Sequence, residues 1–307
     1  MQKAVRRARL LSAAIAVLLG AAAPSALAGC GGVSVPDDAL TLEGIAQAAE
    51  TSADATSGRF GFVMEMALPD GQPLSFSATG SFDTGSDRTA VTLDMSAFGS
   101  LLAGLAGSFG GDAPDLSDPG LWKIDVVQDG LVMYMRFPLA AKELPRGKTW
   151  VRIDLREAAQ LQGFDLEQLQ QFTSNDPRDA LRYLEAVGGE LERIGEETLH
   201  GVETTRYRTT IDLLKFRKLV PPSQRESFES MVEELVVQSG LRTIPVEVWV
   251  DANGFVRRMV MTLSATPPGT SETFQASMRF ELYDYGKDIE IERPPSAQVV
   301  DSSAIKQ

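Results

Sequence analysis

From Arg59 onward the chain alternates. Phe60, Phe62, Met64, Met66 and Leu68 fall on one side of an extended segment, and Arg59, Gly61 and Glu65 on the other. That period of two predicts a strand with one buried face. Pro69-Asp70-Gly71 reads as a turn. Leu74, Phe76, Ala78 and Phe82 then oppose Ser75, Ser77, Thr79, Ser81 and Asp83, and Val91, Leu93 and Met95 continue the pattern. Trp122, Ile124 and Val126 lead into Asp129-Gly130, read as a type I′ hairpin, and Leu131, Met133, Met135 and Phe137 return. Lys148 to Leu155 predicts one more strand. Beyond residue 190 the same grammar resumes with Leu191 to Thr198, Val202 to Ile211, Ile244 to Asp251, Phe255 to Ala265 and Glu272 to Tyr283. The breaks fall at His200-Gly201 and Asn253-Gly254, and neighbouring strands are expected to pair.

Helical spacing interrupts this pattern in a few places. Thr41 is placed to cap a helix through about Ala55, with Leu42, Ile45, Ala46 and Ala49 on one stripe. Asp154 and Asp165 each have Glu157 or Gln168 three residues on, and Asp176-Pro177 opens a helix expected to stop at Gly188-Gly189. Pro221-Pro222 and the capping box Ser223-Gln224-Arg225-Glu226 start a second insert, with Phe228, Met231, Val232, Leu235 and Val236 on one face. One-sided strands need cover and one-sided helices supply it. The fold class expected is therefore α+β: a single, highly curved antiparallel β-sheet, a half-barrel, with helices covering its concave face.

The N-terminus changes the setting. Lys3, Arg6, Arg7 and Arg9 precede an apolar run from Leu10 to Ala23, the layout of a secretory signal. It ends in Leu27-Ala28-Gly29-Cys30, and Cys30 is the only cysteine of the 307 residues. This tetrad resembles the bacterial lipobox, which implies a diacylglycerol on Cys30 and cleavage before it. A spanning anchor needs about 20 apolar residues, whereas this run is shorter and is followed by Pro24 and Ser25. A soluble secreted form would carry Cys30 as an unpaired thiol. The organisation expected is a signal over 1–29, a lipidated tether over 30–40, one domain over 41–300 and a tail over 301–307. The protein is thus expected on the extracytoplasmic face of the cell membrane.

The formal net charge is −13, and loss of the signal removes four basic residues and no acidic ones. Such a surface makes nucleic acid a very poor partner, so acyl chains rather than a basic patch would hold the domain to a bilayer. Catalysis finds little support. The lone histidine, His200, sits at a turn before Gly201, where local geometry or solvent exposure explains it. No nucleophile elbow, Cys/His pair or metal-binding helix motif appears in the sequence. Asp251 beside Asn253-Gly254 fits a hairpin better than a calcium loop. Catalytic residues, metal and cofactors are accordingly assigned as none.

Three stretches carry a family likeness. They are His200-Gly201-Val202-Glu203-Thr204-Thr205-Arg206-Tyr207, then Val248-Trp249-Val250-Asp251-Ala252-Asn253-Gly254 with Arg257-Arg258, then Tyr283-Asp284-Tyr285-Gly286 with Ile289, Ile291, Pro294 and Pro295. Together they resemble the actinobacterial LppX/LprAFG lipoproteins of the LolA-like and RseB-like half-barrel superfamily. The resemblance implies an apolar cavity between sheet and helices that takes acyl chains of lipids or glycolipids through dispersed apolar contacts. Parity alone names Phe62, Met64, Met66, Phe76, Met133, Met135, Met259 and Met261 as lining candidates, where thioethers suit an adaptable surface or fill an irregular core. Phe98, Leu101, Leu102, Leu105 and Phe109 lie in an uncharged stretch that reads as a flap over the cavity mouth, as a membrane-touching element or as an ordinary amphipathic helix buried under the sheet.

Two functions remain open from the sequence. One is a lipid carrier or chaperone of the envelope. The other is a non-enzymatic sensor or regulator, RseB-like, that binds a membrane-protein partner.

Overall fold

The computed structural model describes residues 40–67, 73–109, 116–162, 184, 187–212, 215, 241, 243–265 and 273–305. The signal, the lipobox tetrad, the Pro69-Asp70-Gly71 turn, the second insert and most of the first lie outside the described residues. The first described element is helix α1 (Leu42–Ala53), whose cap Thr41 accepts a hydrogen bond from the Gly44 amide at 3.1 Å, an arrangement contributing about 1 kcal/mol. Strands β1 (Ser57–Ala67), β2 (Pro73–Asp83) and β3 (Arg88–Asp94) follow, then helix α2 (Ser96–Phe109). After it come β4 (Lys123–Asp129), β5 (Val132–Arg136), β6 (Trp150–Asp154) and helix α3 (Leu155–Gln162). The second half holds β7 (Val187–Leu199), β8 (Val202–Asp212), β9 (Thr243–Asp251), β10 (Val256–Ala265), β11 (Phe274–Tyr283) and the short β12 (Val299–Asp301).

The twelve strands among the described residues form one curved sheet, in the order β12-β6-β5-β4-β3-β2-β1-β11-β10-β9-β8-β7. Two meanders, β1–β6 and β7–β11, are zipped together by the antiparallel β1–β11 pair, whose register sets Phe62 beside Phe280 and Met64 beside Met278. The sheet departs from the antiparallel expectation at one edge, where β12 runs parallel to β6 with Val300 beside Val151. This strand reaches Asp301, at the head of the expected tail, where Arg152 donates to the Asp301 carboxylate at 2.8 Å.

Register places Phe62 and Met64 of β1, Phe76 of β2, Val91 of β3, Val126 of β4, Met135 of β5, Val151 of β6, and Met259 and Met261 of β10 on one face. On the β8–β11 half, α1 covers that face: Ile45, Ala48 and Ala49 join Val246, Val248, Val250, Met259 and Met261 in the main core. Ser52 fastens the helix. Its hydroxyl donates to the Ala48 carbonyl and accepts the Val256 amide at 2.8 Å, a group next to a register shift between β9 and β10. A smaller core sits on the opposite face, where Ile289 and Ile291 of the C-terminal segment pack on Val127, Ala90, Tyr134 and Trp150.

Two sequence expectations are corrected. Gly188-Gly189 does not end a helix; it lies inside β7, beside a register shift that gives Gly189 a φ of 82°. A glycine pair serves a bulge as readily as a helix C-terminus, because both require positive φ. The β4–β5 loop is Gly130-Leu131, not Asp129-Gly130, because Asp129 pairs with Val132. Only Gly130 has positive φ, the pattern of a type II′ rather than a type I′ turn.

Candidate functional site

The eight lining candidates share the apolar face, but burial divides them. Met66, Met259 and Met261 are 5%, 1% and 2% exposed and belong to the packed interior. Phe62, Met64, Phe76, Met133 and Met135 are only half-buried. Around them on β3, β4 and β6 lie Val91, Leu93, Ile124, Val126, Val151 and Ile153, also half-buried. The result is an apolar strip running from β1 to β6 beside a core that α1 has already closed.

The uncharged stretch forms helix α2. The N-terminal end of α2 is pinned: the Met95 amide donates to the Trp122 carbonyl, and Phe98 meets the Trp122 ring edge-on at 5.8 Å. Gly99 is buried there, and a Cβ at that position would overlap the indole. The indole N–H is in turn satisfied by the Leu116 carbonyl at 2.9 Å. Leu101 and Leu102 are half-buried, and the side chains of Leu105 and Phe109 lie outside the described residues.

The polar face of β7–β11 carries a connected set of ion pairs. Trp249 is flanked by the guanidinium groups of Arg206 and Arg258, at 5.0 and 5.2 Å from its ring centre, and its N–H donates to Glu197 at 2.7 Å. Arg258 bonds both Glu197 and Glu281. His200, left-handed with φ of 49°, stacks on Tyr283 at 4.3 Å and sits 3.0 Å from Glu281. Burial pushes the Glu281 carboxyl upward, but the contacts from His200 and Arg258 outweigh it and hold the group below its ordinary value. His200 therefore does more than shape its turn, because it ties β7–β8 to β11. Sequence reasoning missed this network, since its members lie on five strands, β7 to β11.

A pocket of about 370 Å³ opens on this polar face over β2, β1 and β11. Its floor is Gly61, and Ser77, Thr79, Arg279, Glu281 and Tyr283 stand around it. Its position differs from the expected cavity between sheet and helices. A glycine inside a strand pattern was the one local signal for it.

Among the described residues, no group of histidine, cysteine, aspartate and glutamate side chains is arranged to hold a metal. Nor is any described helix long and apolar enough to cross a membrane. Asp251 is committed to its hairpin, where it accepts from the Asn253 and Phe255 amides and from Arg257.

No family model matches the chain. An uncharacterized 31.2 kDa protein of Streptomyces griseus is 26% identical over 156 residues, and the match covers 50% of this chain and 48% of that relative, about half the length of each. Among solved structures, the lipoprotein LppX of Mycobacterium tuberculosis superposes with a TM-score of 0.42 at 14% identity, over 84% of this chain and 100% of LppX. LprF of Mycobacterium bovis gives 0.42 at 13%, over 82% and 96%. A LolA superfamily protein of Nitrosomonas europaea gives 0.24 at 8%, over 80% and 95%. This chain is built on one large, curved, open antiparallel sheet.

Proposed function

We propose that the chain is a non-enzymatic lipoprotein, anchored through Cys30 on the extracytoplasmic face of the cell membrane, that binds acyl chains of a lipid or glycolipid and carries or shields them in the envelope. The half-buried apolar strip on β1–β6 is the observation that supports this reading most. Phe62 and Met64 are half-buried at the edge of the main core, and Phe76, Met133 and Met135, also half-buried, carry the apolar surface onward from it. Each methylene removed from water there contributes about 0.8 kcal/mol, so a chain of about a dozen offers on the order of 10 kcal/mol before ordering costs. No specific polar contact is needed for binding of that strength. In this reading helix α2, held at its N-terminal end by Trp122, serves as the flap.

Native mass spectrometry with lipid extraction, on the Cys30→Ser chain expressed in a lipid-rich host, tests the proposal. Near-stoichiometric co-purified lipid is expected. Lipid-free protein that also refuses a fluorescent acyl probe would assign the same strip to a membrane-protein partner instead, making the protein an envelope regulator. The anchor has its own test. Cys30→Ser is expected to move the protein from the membrane fraction to the soluble fraction, and unchanged membrane retention without added acyl mass would rule out lipidation.

A further inference from the structure

The pocket on the polar face has no role in acyl-chain binding, because the sheet separates it from the apolar strip. Its volume of about 370 Å³ falls in the range of about 300–1,000 Å³ typical of small-molecule sites. Gly61 makes the depression. It lies between Thr79 on β2 and Glu281 on β11, and a Cβ added there would meet nothing within 4 Å. Two residues along, on the same face, Val63 lies between Ser77 and Arg279.

Hydrogen-bond supply around the pocket is uneven. Glu281, on one side, is already engaged by Arg258 at 2.8 Å and by His200 at 3.0 Å. Among the described residues, the Arg279 guanidinium, on the other, has no ion-pair or side-chain hydrogen-bond partner, and neither do the hydroxyls of Ser77 and Thr79. A guanidinium has only donors to offer and a hydroxyl has one. The unmet demand is therefore for acceptor oxygens, with a negative charge to match Arg279. A cation is refused by Arg279 and finds the Glu281 oxygens taken. A carboxylate brings two oxygens, whereas a phosphate group can serve the guanidinium fork and both hydroxyls together.

We propose that this pocket binds a phosphate group, held by Arg279, Ser77 and Thr79, with the rest of its ligand lying over Gly61 toward Tyr283. Repulsion from Glu281 fixes that orientation. A phospholipid headgroup and a free phosphate ester present the same chemistry, and the experiment distinguishes them. The inference stands apart from acyl binding.

Amide and arginine side-chain NMR signals of the full chain in detergent are followed during titration with inorganic phosphate and with glycerol 3-phosphate, against potassium chloride at matched ionic strength. Saturable shifts at Gly61 and Arg279 are expected with both phosphates and not with chloride. Gly61→Val fills an open space on a strand without touching a charge, and together with Arg279→Gln it should weaken binding by about tenfold or more. Arg279→Lys should restore part of it. Acyl-probe uptake by Gly61→Val should match the parent, which separates this site from the apolar strip and confirms the fold. Shifts that follow ionic strength alone, or that survive Gly61→Val, overturn the proposal. Vesicles with and without phosphatidylglycerol then assign the source: competition by the headgroup points to lipid, and its absence with retained glycerol 3-phosphate binding points to a soluble ester.

Discussion

Replacing Met135 by glutamate is expected to strip bound acyl lipid from the protein while leaving it folded, whereas the same change at Met261 is expected to prevent folding. Both methionines lie on the apolar face of the sheet, and sequence parity treats them alike. Their surroundings differ. Met261 is 2% exposed in the core under α1, where a carboxylate gains no partner and costs several kcal/mol even after protonation. That is a large part of the 5–15 kcal/mol that holds a typical domain together. Met135 is half-buried, so a carboxylate there keeps much of its water in the lipid-free protein. It loses that water only when an acyl chain lies across it, and the penalty then falls on binding. Co-purified lipid is expected to drop by at least about tenfold, equivalent to 1.4 kcal/mol, with a thermal midpoint within a few degrees of the parent. Phe76→Glu should behave as Met135→Glu does. Lipid retained at parent level in both variants would place the ligand elsewhere on the molecule.

The contrast between those two methionines marks what the sequence could disclose. Side-chain direction in a strand is local, because successive residues alternate, so the shared face of Phe62, Met64, Phe76, Met133, Met135, Met259 and Met261 was legible from spacing alone. Burial on that face was not. It depends on where α1 comes to rest, and α1 is fixed by Ser52 against Val256, 204 residues away. The same holds for the phosphate pocket. Gly61 could be seen to interrupt a strand, but Ser77, Thr79 and Arg279 reach it only through the pairing of β1 with both β2 and β11. The β1–β11 pair closes a loop of more than 200 residues, which no local pattern encodes.

The motifs behind the family likeness also acquire a physical meaning. His200 and Gly201 are both left-handed, as a tight turn between β7 and β8 requires. Asp284 and Gly286 take positive φ at the corner after β11, where the Gly286 amide donates to the Ser57 carbonyl. Ile289 and Ile291 seal the small core on the polar face. Each motif turns the chain, ties it down or, as with Val248 and Val250, fills the main core, which is why they speak for the fold and say nothing of the lipid.

Asp251→Ala is expected to be the most destabilising polar substitution in the β9–β10 hairpin, by about 3–5 kcal/mol. The Asp251 side chain is 1% exposed and all of its acceptor capacity is directed inward. One oxygen takes the amides of Asn253 and Phe255 at 2.8 and 3.0 Å, and the other takes Arg257 at 2.6 and 2.7 Å. Truncation orphans those donors and leaves Arg257, itself 12% exposed, as an unpaired charge between rings. Its guanidinium lies 5.7 Å from the Phe255 ring centre and 4.8 Å from that of Tyr285. Tyr285 closes the arrangement by donating to the Val256 carbonyl at 2.7 Å. The damage would therefore spread from the hairpin into the corner after β11. Removing the cation as well should recover stability, so Arg257→Met added to Asp251→Ala is expected to cost less than the single aspartate change. Urea denaturation of the parent, both single variants and the double variant measures the coupling. A loss below about 1 kcal/mol for Asp251→Ala, the value of an exposed pair, would mean that water reaches Arg257 and that the hairpin is held by its backbone turn alone.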